Sequence, residues 1–77
     1  MGRLGNISGR QAVKTFSKLG YRLSRQQGSH LVLDHDKPGF PILVIPDHKE
    51  VAPALLRAQI RRAGLSVDGF LALKNKK

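Results

Sequence analysis

Apolar positions along the chain recur first with a helical period, then with a period of two, then with a helical period again. Ala12, Val13, Phe16 and Leu19 fall on one side of a helix, while Arg10, Lys14 and Lys18 follow at four-residue steps on another. Ser8 with Gln11 forms a capping-box pattern and Gly20 supplies a stop, so the spacing predicts a helix from about 9 to 19. In YRLSRQQ, Tyr21 and Leu23 then alternate with Arg22 and Ser24, as in a strand with one buried face. Gly28 and Ser29 interrupt the alternation, and His30 to His35 read as a second strand ending at the turn DKPG. Phe40 to Ile45, apolar and bounded by Pro41 and Pro46, reads as a third, so the short connections predict an antiparallel meander. Pro53 suits a first helical position, and Leu56, Ile60 and Ala63 make a seam that stops at Gly64, with Leu65 placed to pack against the cap. Arg57 and Arg61 lie four apart on that helix, and Ser66 opens a short last helix carrying Phe70, Leu71 and Leu73. The first six residues are expected to fray and the tail KNKK to be disordered. The expectation is one α+β domain over 1–77, core from about 8 to 73, in the order α-β-β-β-α with an appended helix.

Composition narrows what such a domain can do. A chain of 77 residues supports one small core, and without cysteine it has neither a disulfide nor a thiolate zinc site. The opening MGRLGNISG is too polar and glycine-rich for a secretion leader, and no apolar run approaches the roughly 18 residues of a membrane span. These features point to a cytoplasmic protein with no membrane partner. Fourteen Lys and Arg against five Asp and Glu give a formal charge of +9, which makes a polyanion the default partner. Every acidic residue except Asp68 lies between Asp34 and Glu50, so both flanks are almost purely basic.

Against that background QQGSHLVL stands out. Strand alternation puts His30, Val32 and Asp34 on one face and Leu31, Leu33 and His35 on the other; if the leucines face the core, His30 looks outward beside a glycine. Histidine moves its proton near neutral pH, so an exposed one can act as general base or acid. RNA supplies a matching reaction, in which a base takes the proton of a 2′-hydroxyl, that oxygen attacks the adjacent phosphate in line, and cations hold the phosphate. It needs no metal, cofactor or covalent enzyme intermediate. A surface or phosphate-contacting histidine is the commoner use of such a residue. His35 and His48 sit at turn edges, and with Asp34 or Asp47 they show no recognisable zinc-ligand spacing. Ser29 lacks the surroundings of a nucleophile and reads as a turn residue, and Gly28 alone is not a phosphate-binding loop.

The segments SGRQAVKTFSKLGY, RLSRQQGSHLVL, ILVIPDHKEVAP and LRAQIRRAGLSVDGFL together resemble the HicA toxins of bacterial and archaeal toxin-antitoxin pairs, from about Ser8 to Leu73. The resemblance implies a fold similar to double-stranded-RNA-binding domains, with three antiparallel strands packed on two helices. It further implies a ribosome-independent mRNA interferase whose catalytic residue is His30, with Gly28 and Ser29 shaping its loop. The implied partners are single-stranded mRNA and a HicB-type antitoxin that covers the site; for the free toxin a monomer is the expectation. Ala54 and Leu55 stand where relatives often have Gly-Thr, and Gly69 where an acidic helix former is common, which puts a phosphate contact and the last helix in question. Arg25, Lys14, Lys18, Arg57 and Arg61 are the candidate RNA-phosphate contacts. Because in-line attack needs a flexible backbone, an open basic sheet face with weak sequence preference is expected rather than a deep pocket. A non-catalytic basic RNA-binding module, or a ribosome-associated basic protein, is the rival reading.

Overall fold

Local signals set where each element begins and ends. The computed structural model describes residues 3–76 and has α1 (Gly9–Ser17), β1 (Tyr21–Gln27), β2 (His30–His35), β3 (Leu43–Pro46), α2 (Pro53–Arg62) and α3 (Val67–Asn75). The capping box is formed: the Gln11 N–H donates to Ser8 Oγ at 3.0 Å and the Ser8 N–H to Gln11 Oε1 at 2.9 Å. α1 stops at Ser17 because the amides of Lys18, Leu19 and Gly20 reach back only three residues, to Thr15, Phe16 and Ser17, tightening the last turn. α2 ends as its glycine predicts. Gly64 takes φ 82°, and the Leu65 N–H reaches the Ile60 carbonyl at 3.1 Å, closing a Schellman motif.

The sheet is antiparallel in the order β1-β2-β3, with β2 central. Its inner face presents Leu31, Leu33, Leu43 and Ile45, all fully buried, to Ala12 and Phe16 of α1, Leu56 and Ile60 of α2 and Phe70 of α3. The helices cover that face alone. β3 is shorter than its apolar run, since Phe40 instead stacks on His35 with ring centroids 3.9 Å apart, and the Pro41 carbonyl accepts from the Tyr21 hydroxyl at 2.7 Å. The outer edge of β3 is closed by α2: the Val44 N–H donates to Gln59 Oε1 at 3.2 Å, and Arg62 Nη2 donates to the Ile42 carbonyl at 3.2 Å.

Both chain ends depart from expectation within the described residues. Leu4 and Ile7 are buried in the core, the Val51 N–H donates to the Ile7 carbonyl at 2.8 Å, and the Asn6 N–H to Glu50 Oε2 at 3.0 Å. Residues 3–6 are therefore held rather than frayed, because so small a core recruits the leading apolar side chains; Met1 and Gly2 lie outside the described residues. At the other end α3 runs on through Lys74 and Asn75, so the start of the tail is helical; Lys77 lies outside the described residues. Gly69 does not prevent this. It sits in the first turn, where its N–H donates to the N-cap Ser66 Oγ at 2.9 Å.

Tyr21 anchors the end of the sheet opposite His30, with edge-on contacts to Phe16, His35 and Phe40. Burial raises its phenol above the ordinary value, against a smaller opposing pull from Arg62. The unfolded phenol ionises first, so this contribution is complete below pH about 10 and is lost as pH rises through the higher folded value. Alkaline melting should therefore fall more steeply above pH about 10 for the native chain than for Tyr21→Phe. At neutral pH that variant should be less stable by about 1 kcal/mol, having lost the bond to Pro41.

Candidate functional site

β1 and β2 are joined by a two-residue turn, Gly28-Ser29, flanked by the pair Gln27 and His30. Only the first turn residue has positive φ (Gly28, 57°), the pattern of a type II′ hairpin with glycine at its first central position. Open space surrounds the point where a Cβ on Gly28 would lie, so the glycine is there for its backbone angle. His30 follows as the first residue of β2. Its neighbour Leu31 is fully buried, His30 itself is exposed, and its ring has no hydrogen-bond partner among the described residues. Ser29 is exposed, and its carbonyl accepts from the Asp47 N–H at 2.6 Å.

Residues paired across an antiparallel ladder share a face. On the open side β2 presents His30, Val32 and Asp34, and β3 presents Val44 opposite Val32. β1 presents Arg22 opposite Asp34, Arg25 opposite Val32 and Gln27 opposite His30. Strict alternation from Arg22 would have sent Arg25 to the buried face. A β-bulge at Ser24 shifts the register between Leu23 and Arg25 and turns Arg25 onto the same face as His30. Diagonal neighbours of this kind lie roughly 7–8 Å apart, within reach of a long side chain bridging to one phosphate group.

Charge separates the two arginines of that face. Arg22 donates from Nε to Asp34 Oδ1 at 2.8 Å and pairs through Nη2 with the Asp36 carboxylate, 2.9 Å from Oδ1, and these carboxylates raise its already high pKa. Arg25 has no carboxylate partner among the described residues and is exposed. Of the candidate phosphate contacts, Arg25 alone shares the face of His30.

The other candidate cations lie elsewhere. Lys14 and Lys18 project from α1 toward the end of α3, where with Lys74 and Lys76 they line a cleft of about 380 Å³ that no sheet residue enters. Lys18 Nζ donates to the Leu73 carbonyl at 2.8 Å and also to that of Lys76, so its charge faces the negative end of the α3 dipole. Arg57 and Arg61 are exposed on α2, on a stripe turned away from Gln59 and Arg62, which meet β3.

The remaining histidines have separate fates. His35 Nδ1 accepts from the Lys37 N–H at 3.0 Å, which leaves Nε2 to donate to the Leu19 carbonyl at 3.0 Å. Both ring nitrogens thus hold the strand ends together, and His35 is a structural residue. His48 is exposed, and its carbonyl accepts from the Gly9 N–H at 2.9 Å. Among the described residues no three His, Asp or Glu side chains converge on a point that could hold a metal ion. No helix among them is long and apolar enough to cross a membrane.

The sequence pattern gives no sign of what supports the Gly28-Ser29 turn. Gln26 Nε2 donates to the Gly28 carbonyl at 2.9 Å, and Arg10 joins Gln26 to Asp47 from the start of α1. A family model described as HicA toxin of bacterial toxin-antitoxin matches residues 9–65, which is 57 of the 77 residues and takes in the turn, His30 and α2. No curated protein and no solved structure matches the chain.

Proposed function

Because this chain belongs to the HicA toxin family of bacterial toxin-antitoxin systems, we propose that it is a ribosome-independent endoribonuclease that cleaves mRNA. The observation that carries the reading is the pairing on one open face of an exposed histidine and an arginine free of carboxylates, His30 and Arg25. His30 takes the proton from a 2′-hydroxyl, O2′ attacks the adjacent phosphorus, and the P–O5′ bond breaks as the 5′-oxygen takes a proton from water. The products are a 2′,3′-cyclic phosphate and a 5′-hydroxyl. Arg25 binds the two non-bridging oxygens through its guanidinium as charge grows on them, as a planar fork does best, and its place on the face of His30 supports that role. An open face suits this chemistry, since in-line geometry requires a backbone free to rotate, and a rigid A-form duplex denies it.

The same face supports a protein partner. Val44 of β3, opposite Val32, is a large exposed apolar residue of that face, and exposed Ile42 lies just before it in the same segment. An antitoxin of the HicB type that buried them would also cover His30 and exclude RNA. Lys14, Lys18, Arg57 and Arg61 then act at a distance from the chemistry, raising the local concentration of polyanion rather than holding the scissile phosphate.

The test is incubation of the purified protein with single-stranded RNA in EDTA, beside a 2′-O-methyl copy and a duplex of the same sequence. Cleavage of the unmodified strand alone, with cyclic-phosphate ends, is the expected result. Binding that weakens steeply with salt but yields no product on long incubation would favour a non-catalytic RNA-binding module instead.

A further inference from the structure

A two-residue hairpin turn at the edge of a molecule ordinarily leaves its carbonyls to water, and the residue that follows it inherits whatever motion the turn has. Here neither carbonyl is free. The Gly28 carbonyl accepts from Gln26 Nε2 at 2.9 Å, and the Ser29 carbonyl accepts from the Asp47 N–H at 2.6 Å. The groups that hold them are themselves held. Arg10 grips the Asp47 carboxylate with both arms of its fork, Nε to Oδ1 at 3.3 Å and Nη2 to Oδ2 at 3.2 Å, and Nη2 also donates to Gln26 Oε1 at 3.2 Å. Gln26 Nε2 completes the ring at 3.5 Å from Asp47 Oδ2.

The ring ties together the start of α1, the end of β1 and the segment leaving β3. Its second support is steric. The Gly9 N–H donates to the His48 carbonyl at 2.9 Å, and a Cβ on Gly9 would collide with the Pro46 carbonyl, so α1 begins in direct contact with the stretch that carries Asp47.

We propose that Asp47, clamped by Arg10 and Gln26, is a positioning residue that fixes the Gly28-Ser29 turn and through it the placement of His30. The inference rests on the reading of His30 as the proton-transfer group. It assigns to the ring a local task. Arg10 and Asp47 remain 57% and 28% exposed at their side chains, and ion pairs so open to water add little to global stability. Their effect should appear in reaction geometry, where a displacement near 1 Å can cost about a hundredfold in rate.

The experiment compares Asp47→Asn, Arg10→Gln and the double variant with the native protein on a short single-stranded RNA. Asp47→Asn keeps the backbone N–H on Ser29 and removes the charge that Arg10 grips. Each single variant should lower kcat about 10- to 100-fold with KM and melting temperature little changed, and the double variant should lose no more than the worse single one, as coupled members of one network do. Unchanged kcat, or losses that multiply, would overturn the proposal. So would a fall in melting temperature that accounts for the lost activity. The His30 ring resonances in a 1H–13C NMR spectrum give a readout independent of cleavage. They should shift or broaden in Asp47→Asn, and an unaltered His30 signal would refute positioning even if the native protein cut no RNA, whereas an altered signal in an inactive protein would uphold it and reject the nuclease reading alone.

Discussion

His30→Ala should lower RNA cleavage by at least about a hundredfold, since a positioned acid or base contributes typically 10²–10⁴ to rate. The fold should scarcely notice. His30 is exposed and its ring holds no partner among the described residues, so the stability change should stay within about 0.5 kcal/mol, or about 3 °C in melting temperature for a domain of this size. Product formation on single-stranded RNA and a thermal melt, run on the same preparation, separate the two effects. An inactive variant that had also unfolded would say nothing of chemistry, and a folded variant that still cleaves at the native rate would remove His30 from the mechanism.

Gly9→Ala should have the largest effect on stability of any single-methyl change at the site. The added Cβ would overlap the Pro46 carbonyl and approach Asp47 Cα to 3.1 Å, both of them backbone atoms that cannot swing aside. Relief requires α1 to lift from the exit of β3, which would stretch the Gly9 to His48 bond and the Arg10 grip on Asp47 together. Overpacking costs typically about 1–3 kcal/mol, and the upper end applies where the obstacle is main chain. Chemical denaturation should show a midpoint lowered by that energy divided by the slope, with the slope itself unchanged. A midpoint equal to the native one would mean that the helix start is less tightly seated than its geometry indicates.

Much of this molecule is legible in its residues, because several levels of signal agree. Ser8 and Gln11 state where α1 begins, Gly64 where α2 ends, and the alternation around Leu31 and Leu33 states which way His30 points. The boundaries that shifted were decided by contacts at long range. The strand expected from Phe40 starts only at Leu43 because the ring of His35 captures Phe40, and the leading segment expected to fray is held because the core takes in Leu4.

Of the candidate site, only the outward placement of His30 was legible. A stripe of Arg10, Lys14 and Lys18 looks like one cationic surface, yet Arg10 turns to a carboxylate, Lys18 to helix carbonyls, and Lys14 lines a cleft apart from the sheet. The block of acids from Asp34 to Glu50 has its use in the fold as well. Asp34 and Asp36 hold Arg22, Asp47 holds Arg10, and Glu50 accepts from the Asn6 amide. Such pairings join residues up to 44 positions apart, so period and spacing carry no trace of them.

The irregularity at Ser24 also bears on how this chain can change length. Losing that one residue would leave Arg22, Leu23 and Arg25 in plain alternation, with Leu23 still on the helix side and Arg25 still on the face of His30. A single-codon deletion there is thus an edit that the strand can absorb, because it removes the surplus residue and leaves the order of the faces as it was.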